Sequence, residues 1–436
     1  MYLIGQIYKY NLIYSSVNLL FFFMGYGFGK SFVILQLRLL KFYYMKFEEY
    51  FNPIDIDALG LVLNHHQRRL SHTMLTYCTK GDFPALDNIN IAIIGVGEER
   101  NAFNNSGCSL APNQIRKYLY NLFPHSRDAK IVDCGNIIIG NCIEDTYTAL
   151  ADIVAEFLHM RIIPIILGGS QDLTLANYRG YENIGQIINA FTIDSSIDIS
   201  ADSEEFNSKS YITSMLCREP NFLFNYTHVG YHEYFVEREI LSLMNKLYFE
   251  CYRVGEIRDN LDNVEPLVRN ADMVSVDISA VRQSDAPANG NPTPHGLYGE
   301  ELCKLVRYAG MSDKCSSIGF YEMNPLFDIN GQTAHMVAHA IWYFIDGFLW
   351  RKKDFPYKEK ESYKKFYVSI NDNSHTIVFY KSKKSERWWM EVPCSKDKLE
   401  KYERHYLIPC SYEDYKTALN NEMPNRWLMA YNKIMI

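Results

Sequence analysis

Three short segments, each an apolar run that ends in small and acidic residues, most constrain how this chain can fold. They are residues 165–172 (IILGGSQD), 191–198 (FTIDSSID) and 273–279 (MVSVDIS). Apolar or β-branched runs followed by glycine, serine or aspartate are typical of strands that are buried on both faces, and such strands belong to parallel sheets. The segments therefore predict a parallel sheet whose strands end in polar loops.

Stretches with helical spacing lie between these strands, at 148–159 (TALADIVAEFLH) and 299–309 (GEELCKLVRYA). Alternating strands and helices predict an α/β fold in which helices cover both faces of the sheet. Ligands bind such sheets in the crevice outside the carboxyl ends of the strands. The residues expected there are Gln171, Asp194, Asp198, Asp277 and Ser279. Several carboxylates at one edge indicate a site for a cation or a cationic substrate.

The three motifs resemble the metal-binding strand ends of the arginase, agmatinase and formimidoylglutamase family, the ureohydrolases. In that family they read GGDHS, DAHxD and SxDxD, and they supply two histidines and four aspartates to two manganese ions around a bridging hydroxide. Here they read GGSQD, DSSID and SVDIS. The resemblance implies a three-layer α/β/α fold with a mainly parallel central sheet, and hydrolysis of C–N bonds in linear amidines.

Further motifs extend the resemblance over about residues 90–350. Residues 285–297 (DAPANGNPTPHGL) follow the family's P-A-x-G-x-P loop, and residues 95–116 resemble its first strand, glycine loop and helix start, with Pro112 at an early helical position. Glu322, in YEMNP, matches a family glutamate that faces the amidine of the substrate. The chain is most similar to formimidoylglutamase-like members.

Half of the metal ligands that the resemblance implies are present. Asp194, Asp198 and Asp277 match ligand aspartates, so the resemblance makes them the metal-binding residues and, with Glu322, the catalytic ones.

The other ligand positions hold neutral side chains. Gln171 and Ser196 stand where the family has histidines, and Ser279 stands where it has an aspartate. These three residues, with His295 and Glu322, are the candidate substrate-binding residues. A ligand-sized pocket among Gln171, Ser196 and Ser279 would favour a small-molecule role, whereas a pocket plugged by Arg282 or His295 would favour a scaffold.

Two close divalent ions need anionic ligands to offset their mutual repulsion, and their role is to generate hydroxide near neutral pH. With three carboxylates and no imidazole at the family's ligand positions, we expect no tight two-metal cluster. The surviving aspartates could still hold one hard cation such as magnesium or calcium, or persist through hydrogen bonds to backbone amides and serines. The cofactor stays unknown, manganese or another divalent cation if any.

Neighbouring residues are weaker ligand candidates. Asp172 is interpreted as an acid at a helix N-terminus. His295 lies in a loop that borders the family's site, but a lone loop histidine is more often solvated than bound to a metal. His228 and His232 are spaced i, i+4, yet the surrounding run NFLFNYTHVGY predicts a strand, so they need not share a face.

Composition indicates an ordinary globular protein. The chain has 436 residues, 47% hydrophobic content and a net charge of −7, with lysines and arginines mostly scattered, which argues against a nucleic-acid partner. Ten cysteines without a CxxC pair, several of them inside apolar stretches, indicate free buried thiols in a reducing compartment, and we expect a cytoplasmic location. Cys108 lies in the glycine loop, but no motif supplies a histidine partner for it.

Three segments are predicted. Residues 1–44 include the apolar run 17–29, which Lys30 interrupts, so we expect translated upstream sequence, absent from a functional protein that starts near Met45, rather than a membrane anchor or secretory signal. Residues 45–350 form the α/β domain. Residues 351–436 form an appendage with a β-hairpin (375–382 and 387–393) and a helical tail (411–430).

Two functions remain open. The first is a non-catalytic or altered binding or assembly protein, in a homo-oligomer of the ring-like sort common in the family, without nucleic-acid or membrane partners. The second is an active metal-dependent hydrolase of C–N bonds in linear amidines such as formimidoylglutamate, guanidino or ureido compounds. Its ligand would be a small amidine or guanidino compound. Loss of both ligand histidines favours the first.

Overall fold

The computed structural model describes residues 46–60, 68–127, 129–200, 206–356, 362–370 and 375–435. The chain divides into two compact units, Met1–Glu49 and Tyr50–Ile436. Of the first unit only a short 3-10 helix at Phe47–Glu49 and its flanking lysine are described. The expectation about residues 1–44 and a start near Met45 concerns residues outside the described ranges.

The strands of the second unit are numbered in chain order. They are β1 Phe51–Asn52, β2 Leu75–Thr76, β3 Ile91–Val96, β4 Ile131–Ile137, β5 Ile163–Gly168, β6 Ile188–Ile193, β7 Leu223–Tyr231, β8 Glu250–Arg253, β9 Met273–Asp277, β10 Ser317–Tyr321, β11 Tyr363–Ile370, β12 His375–Ser382, β13 Trp388–Glu391 and β14 Leu407–Cys410.

The α-helices are numbered in the same way. They are α1 Leu70–Thr73, α2 Ala111–Leu119, α3 Ile143–His159, α4 Leu173–Ile184, α5 Tyr211–Leu216, α6 Arg238–Lys246, α7 Val254–Asp259, α8 Glu265–Arg269, α9 Gly299–Met311, α10 Gln332–Leu349, α11 Lys396–Tyr402, α12 Tyr412–Leu419 and α13 Asn425–Met435.

The central sheet has ten strands in the order β1-β4-β3-β5-β10-β9-β6-β7-β8, with β2 paired to β4. Every pairing is parallel except β1 with β4. The predicted parallel sheet is confirmed, and β5, β10, β9 and β6 are consecutive neighbours in it. Their carboxyl ends therefore lie side by side, which brings the three motifs to one edge.

Helices cover both faces of the sheet, so the predicted three-layer α/β/α arrangement is confirmed. On one face α2, α9 and α10 pack together, and on the other α3 and α4 pack with α5. The strands β3, β5, β6, β9 and β10 consist only of buried residues. Burial on both faces explains why these strands read as continuous apolar runs rather than alternating ones.

The two predicted helices are present with longer bounds. The helix predicted at 148–159 begins five residues earlier, at Ile143. Cys142 is its N-cap residue, and the backbone N–H of Cys142 donates a hydrogen bond to the side chain of Asp145 at 3.1 Å. The helix predicted at 299–309 continues to Met311. The run that contains His228 is strand β7, as predicted.

The C-terminal region forms a four-stranded antiparallel sheet in the order β11-β12-β13-β14. Strands β12 and β13 correspond to the two hairpin segments expected from the sequence. The single helical tail expected at 411–430 is wrong, because two helices occupy this region, α12 and α13. Asn421 between them has a positive φ of 66°, and Pro424 follows, so the chain turns there instead of continuing one helix.

The C-terminal sheet packs against the α/β part at the amino ends of the strands. Arg404 Nη2 lies 2.5 Å from Asp272 Oδ1, immediately before β9. The guanidinium of Arg269 lies 4.4 Å above the ring of Trp389. Trp388, Trp389 and Tyr380 are all buried, which supports a packing role for them rather than a partner-binding patch.

No helix in the described ranges is both long enough and apolar enough to cross a membrane. All ten cysteines have free thiols, but the expectation that they are buried holds for only five of them, and Cys142 and Cys217 are exposed.

Candidate functional site

Three aspartates converge at the carboxyl edge of the sheet. Asp194 follows β6, Asp277 ends β9, and Asp198 lies four residues after Asp194. One carboxylate oxygen from each lies within 4.8 Å of the others, and all three side chains are buried. We call these residues the aspartate cluster. Strands β6 and β9 are direct neighbours, so the sheet itself holds two of the three carboxylates together.

Serines at former ligand positions donate hydrogen bonds to the aspartate cluster. Ser196 donates from its hydroxyl to Asp198 Oδ1 at 2.8 Å and from its backbone N–H to Asp194 Oδ1 at 3.2 Å. Ser279 donates from its backbone N–H to Asp277 Oδ1 at 2.7 Å and from its hydroxyl to Asp194 Oδ1 at 3.2 Å. These residues thus hold the carboxylates instead of supplementing them as ligands.

A lysine that the sequence motifs did not single out enters the same site. Lys209 Nζ lies 3.3 Å from Asp198 Oδ1, 3.6 Å from Asp277 Oδ2 and 3.1 Å from the hydroxyl oxygen of Ser196. Its ammonium therefore lies among carboxylates that, in the resemblance, bind metal ions. The remaining oxygens Asp194 Oδ2 and Asp198 Oδ2 receive no hydrogen bond from the described residues.

The segment that carries Lys209 is tied to a loop on the other side of the site. Ser208 donates from its backbone N–H to the carbonyl of Asn101 at 2.9 Å, and its hydroxyl accepts from the backbone N–H of Phe103 at 3.1 Å. Lys209 is two residues before α5, in the run FNSKSY, which matches no motif. No sequence signal could have placed it in the site, because only the tertiary structure brings this segment to the strand ends.

The charges in the site affect each other strongly. Burial raises the pKa of Asp277 to about 8, and the charge of Asp194 adds to this effect. Burial, with the charge of Asp194, also raises the pKa of Asp198 well above its ordinary value. Burial alone would lower the pKa of Lys209, but the charges of the three aspartates outweigh it and the pKa lies well above the ordinary lysine value. The aspartates therefore favour the ammonium form of Lys209.

Glu322, which follows β10, is fixed by neighbouring polar groups. Its Oε1 accepts from the backbone N–H of Gln171 at 2.7 Å and its Oε2 from Asn105 Nδ2 at 2.6 Å. Its backbone carbonyl accepts from the side-chain amides of Asn105 and Asn289, both at 2.9 Å. Glu322 has a φ of 63°, a left-handed conformation that costs a non-glycine residue of the order of 1 kcal/mol and is maintained only by such surroundings.

Gln171 is buried but is turned toward neighbouring polar side chains. Its Nε2 donates to the hydroxyl of Ser275 at 3.0 Å and to the hydroxyl of Tyr211 at 3.3 Å. Its neighbour Asp172 is the N-cap residue of α4 and accepts a hydrogen bond from the hydroxyl of Tyr147. Asp172 thus lies at the start of α4, where the sequence interpretation placed it.

The histidines do not join the aspartate cluster. His295 is exposed, and its backbone carbonyl lies 3.2 Å from His232 Nε2. His228 is buried with its Nε2 3.3 Å from the backbone carbonyl of Asp194, and burial lowers its pKa to about 4.

The other expected side chains also lie apart from the carboxylates. Arg282 pairs with Asp285, so neither Arg282 nor His295 is the basic group between the carboxylates, which is Lys209. Burial raises the pKa of the Cys108 thiol far above its ordinary value, which argues against a nucleophilic role.

The donor set does not fit a pair of manganese ions. At the six positions of the family's ligands the chain offers three carboxylates and three neutral side chains, and the ammonium of Lys209 lies beside two of the carboxylates. Dications would have to approach a fixed positive charge with less compensating negative charge than four carboxylates provide.

Comparisons with known proteins give the family. The arginase family matches residues 89–346, more than half of the chain. The formimidoylglutamase of Lysinibacillus sphaericus is 23% identical over 296 residues, covering 64% of this chain and 91% of the relative, and that of Clostridium tetani is 24% identical over 285 residues, covering 60% and 84%. The chain belongs to the arginase family.

Solved structures with the same fold include further formimidoylglutamases. The crystal structure of formimidoylglutamase from Bacillus subtilis has a TM-score of 0.60 and 20% identity, covering 66% of this chain and 94% of the other. Trypanosoma cruzi formiminoglutamase with Mn²⁺ has a TM-score of 0.57 and 18% identity, covering 65% and 99%. The chain thus has the same fold as these formimidoylglutamases.

Proposed function

We propose that this protein is a non-catalytic or altered member of the arginase family that serves as a binding or assembly protein. The observation that carries the proposal is the position of Lys209, whose ammonium lies 3.3 Å from Asp198 and 3.6 Å from Asp277. A positive charge from the chain itself thus takes part of the role that divalent ions have in the family.

Electrostatics supports this proposal. A dication 4 Å from an ammonium group is repelled by about 8 kcal/mol at an effective dielectric constant of 20. Three carboxylates would have to overcome this repulsion and that between the two ions. The imidazoles that the resemblance implies are replaced by Gln171 and Ser196, and Gln171 Nε2 is already bonded to Ser275 and Tyr211. Binding of two closely spaced dications would therefore be strongly disfavoured.

Without that metal pair the reaction lacks its nucleophile. Divalent ions convert a bound water into hydroxide near neutral pH, and a general base must otherwise accept the proton within hydrogen-bonding distance. His228 faces a backbone carbonyl and His295 is exposed, so neither occupies that position.

An active hydrolase of C–N bonds in linear amidines is the second candidate, and one observation favours it. Glu322, the residue expected to face an amidine, is held in a strained backbone conformation by Asn105, Asn289 and Gln171. Strain maintained at such a position is a feature of functional sites. In this alternative Asp194, Asp198 and Asp277 would bind one divalent ion after Lys209 had moved away.

The proposal extends to the ligand, the location and the assembly of the protein. A small amidine or guanidino compound is the ligand that the carboxylate-rich site would select, since its cationic group would replace the ammonium of Lys209. A cytoplasmic homo-oligomer without nucleic-acid or membrane partners agrees with the net charge of −7 and the free cysteines.

Metal analysis tests the proposal. The wild-type protein is loaded with manganese, dialysed and analysed, and release of urea or ammonia from arginine, agmatine and formimidoylglutamate is measured. We expect well below one manganese per chain and no turnover. In Lys209→Met, which removes the charge but keeps much of the side-chain volume, we expect about one divalent ion per chain, because the aspartate cluster loses its competing cation.

Lys80→Met is the matched control, because Lys80 pairs with Asp57 at the protein surface. It should bind no more manganese than the wild type. Near-stoichiometric manganese with turnover in the wild-type protein would overturn the proposal in favour of the hydrolase. A Lys209→Met protein that is folded but still binds no manganese would contradict the role given to Lys209.

A further inference from the structure

A cavity lies away from the aspartate cluster, between the solvent-facing sides of α9 and α10. It is half open and has a volume of about 620 Å³, within the range of small-molecule sites. The lining residues that bear on its chemistry are Arg282, Glu300, Arg307, Met336, His339 and Tyr343.

The cavity follows a groove between the two helices. Its lining positions recur at helical spacing from Gly299 to Arg307 on α9 and from Gln332 to Tyr343 on α10. The Arg282–Asp285 loop closes one end, where Asp285 Oδ2 accepts from the backbone N–H of Gly299 at 3.0 Å. The groove is thus elongated, with a loop at one end.

Arg282 presents a fixed guanidinium at the loop end. Its Nε donates to Asp285 Oδ1 at 2.8 Å, and its guanidinium carbon lies 4.1 Å above the ring centre of Tyr298. Within the described residues its two terminal nitrogens make no hydrogen bond. These donors are positioned by the Nε contact and the stacking, and they are available to an anion, the group that a guanidinium fork recognises best.

Arg307 presents a second guanidinium at the other end. Its Nε donates to Asp346 Oδ2 at 2.7 Å and its Nη1 lies 3.3 Å from the sulfur of Met311, which leaves Nη2 without a hydrogen bond to the described residues. Arg307 is eight residues beyond Gly299, so at 1.5 Å per residue the two ends of the groove are about 12 Å apart along α9.

The surface between the two arginines combines apolar and polar side chains. Met336 and Tyr343 contribute one side and the buried Cys303 the other. Lys304 also lines the cavity, but its ammonium is bound to Asp262 at 2.9 Å. The carboxylate of Asp285 accepts hydrogen bonds from Arg282 and Gly299. Glu300 is the other acidic residue of the lining, and its carboxylate would repel an anionic ligand that came close to it.

From these groups we propose that the groove binds an elongated organic dianion, an α,ω-dicarboxylate whose ends pair with Arg282 and Arg307 and whose carbon chain lies on Met336 and Tyr343. One carboxylate could pair with only one of the guanidinium groups, so both ends are needed for full affinity. The inference makes no use of the aspartate cluster and stands apart from the proposed function.

Calorimetric titration with suberate, the eight-carbon dicarboxylate, tests the proposal on the full-length protein at low ionic strength. We expect saturable binding of one suberate per chain. Arg282→Met and Arg307→Met should each weaken it at least tenfold, and octanoate, which has one carboxylate, should bind the wild type at least tenfold more weakly. Arg307→Lys, which keeps the charge, should recover part of the loss.

Arg253→Met is the matched control, because Arg253 pairs with Glu233 and Glu256 and does not line the groove. It should bind suberate like the wild type, and thermal unfolding of each variant verifies that it is folded. Absence of saturable suberate binding to the wild type, equal binding of octanoate, or unchanged binding in folded Arg282→Met and Arg307→Met would overturn the proposal. Dissociation of an oligomer by the Arg307→Met substitution would also overturn it, because the groove would then be an interface between copies of the chain.

Discussion

Two buried aspartates stand at opposite ends of one strand and have opposite electrostatic surroundings. Asp277 ends β9 in the aspartate cluster, where one ammonium, that of Lys209, faces several carboxylates. Asp272 precedes β9 and lies 2.5 Å from Arg404 and 3.5 Å from Lys314. We call these three residues the joint cluster. Carboxyl groups outnumber cationic groups at one end, and cationic groups outnumber carboxyl groups at the other.

The pKa values follow this difference. Burial raises the pKa of Asp277 to about 8, with a further increase from Asp194. Burial alone would also raise the pKa of Asp272, but Lys314 and Arg404 outweigh it and the pKa lies below the ordinary value. Of these two aspartates, the surroundings thus stabilise only Asp272 as an anion. The joint cluster supports the fold, whereas a surplus of buried carboxylates indicates a site shaped for a cation rather than for stability.

Removing the anion of the joint cluster should have the largest effect. Asp272→Asn leaves Lys314 and Arg404 without their shared carboxylate, and breaking a buried ion pair in this way costs about 3–5 kcal/mol. Urea denaturation near pH 7 measures the loss. Asp57→Asn, at an exposed pair with Lys80, is the control and should cost less than about 1 kcal/mol. A loss below 1 kcal/mol for Asp272→Asn would refute the structural role of the joint cluster.

Glu156 on α3 shows the effect of burial by itself, because burial shifts its pKa and no charged neighbour contributes. Burial raises its pKa to about 7, so the folded state holds a proton that the unfolded state releases near pH 4.5. The stability contribution of this proton is complete below about pH 4.5 and is lost as the pH rises through 7.

Glu156→Gln should remove this pH dependence. Its unfolding free energy relative to the wild type should rise by up to about 3 kcal/mol between pH 5 and pH 8, since one pKa unit corresponds to about 1.36 kcal/mol. Urea denaturation at several pH values measures it, and the exposed Glu239→Gln serves as the control. A constant difference between variant and wild type across this range would contradict the prediction.

The smallest effect is expected at the other end of β9. Asp277→Asn replaces a carboxyl group whose pKa of about 8 leaves it largely protonated near pH 7, so little ion-pair energy with Lys209 is lost. We expect a change within about 1 kcal/mol, measured beside Asp272→Asn under identical conditions. A loss above 3 kcal/mol would show that Asp277 is as essential an ion-pair partner as Asp272, and the contrast between the two ends would fail.

Much of the frame of the site could be predicted from sequence. The apolar runs that end at Gly168, Ile193 and Asp277 predict buried parallel strands, and neighbouring parallel strands must bring their carboxyl ends to one edge. Asp194, Asp198 and Asp277 could therefore be placed together, whereas the place of Glu322 beside them was implied only by the resemblance to the family. Local patterns of this kind are readable because burial on both faces of a strand leaves a continuous apolar signal.

Other features were beyond local patterns. The break between α12 and α13 was missed because helical periodicity masked the turn at Asn421 and Pro424. The chain segment that carries Lys209 contains no motif, and its place is set by contacts of Ser208 with Asn101 and Phe103, about a hundred residues away in sequence.

By itself, the sequence determined the class of fold, the edge at which the candidate site lies, and which side chains occupy the six positions that the resemblance assigns to metal ligands, because strand periodicity and residue identity are local properties. Only the tertiary structure decided what compensates the remaining carboxylates. An ammonium carried by a distant loop acts on them through space, and Coulomb interactions over 3 to 4 Å depend on folded distances that spacing along the chain does not encode.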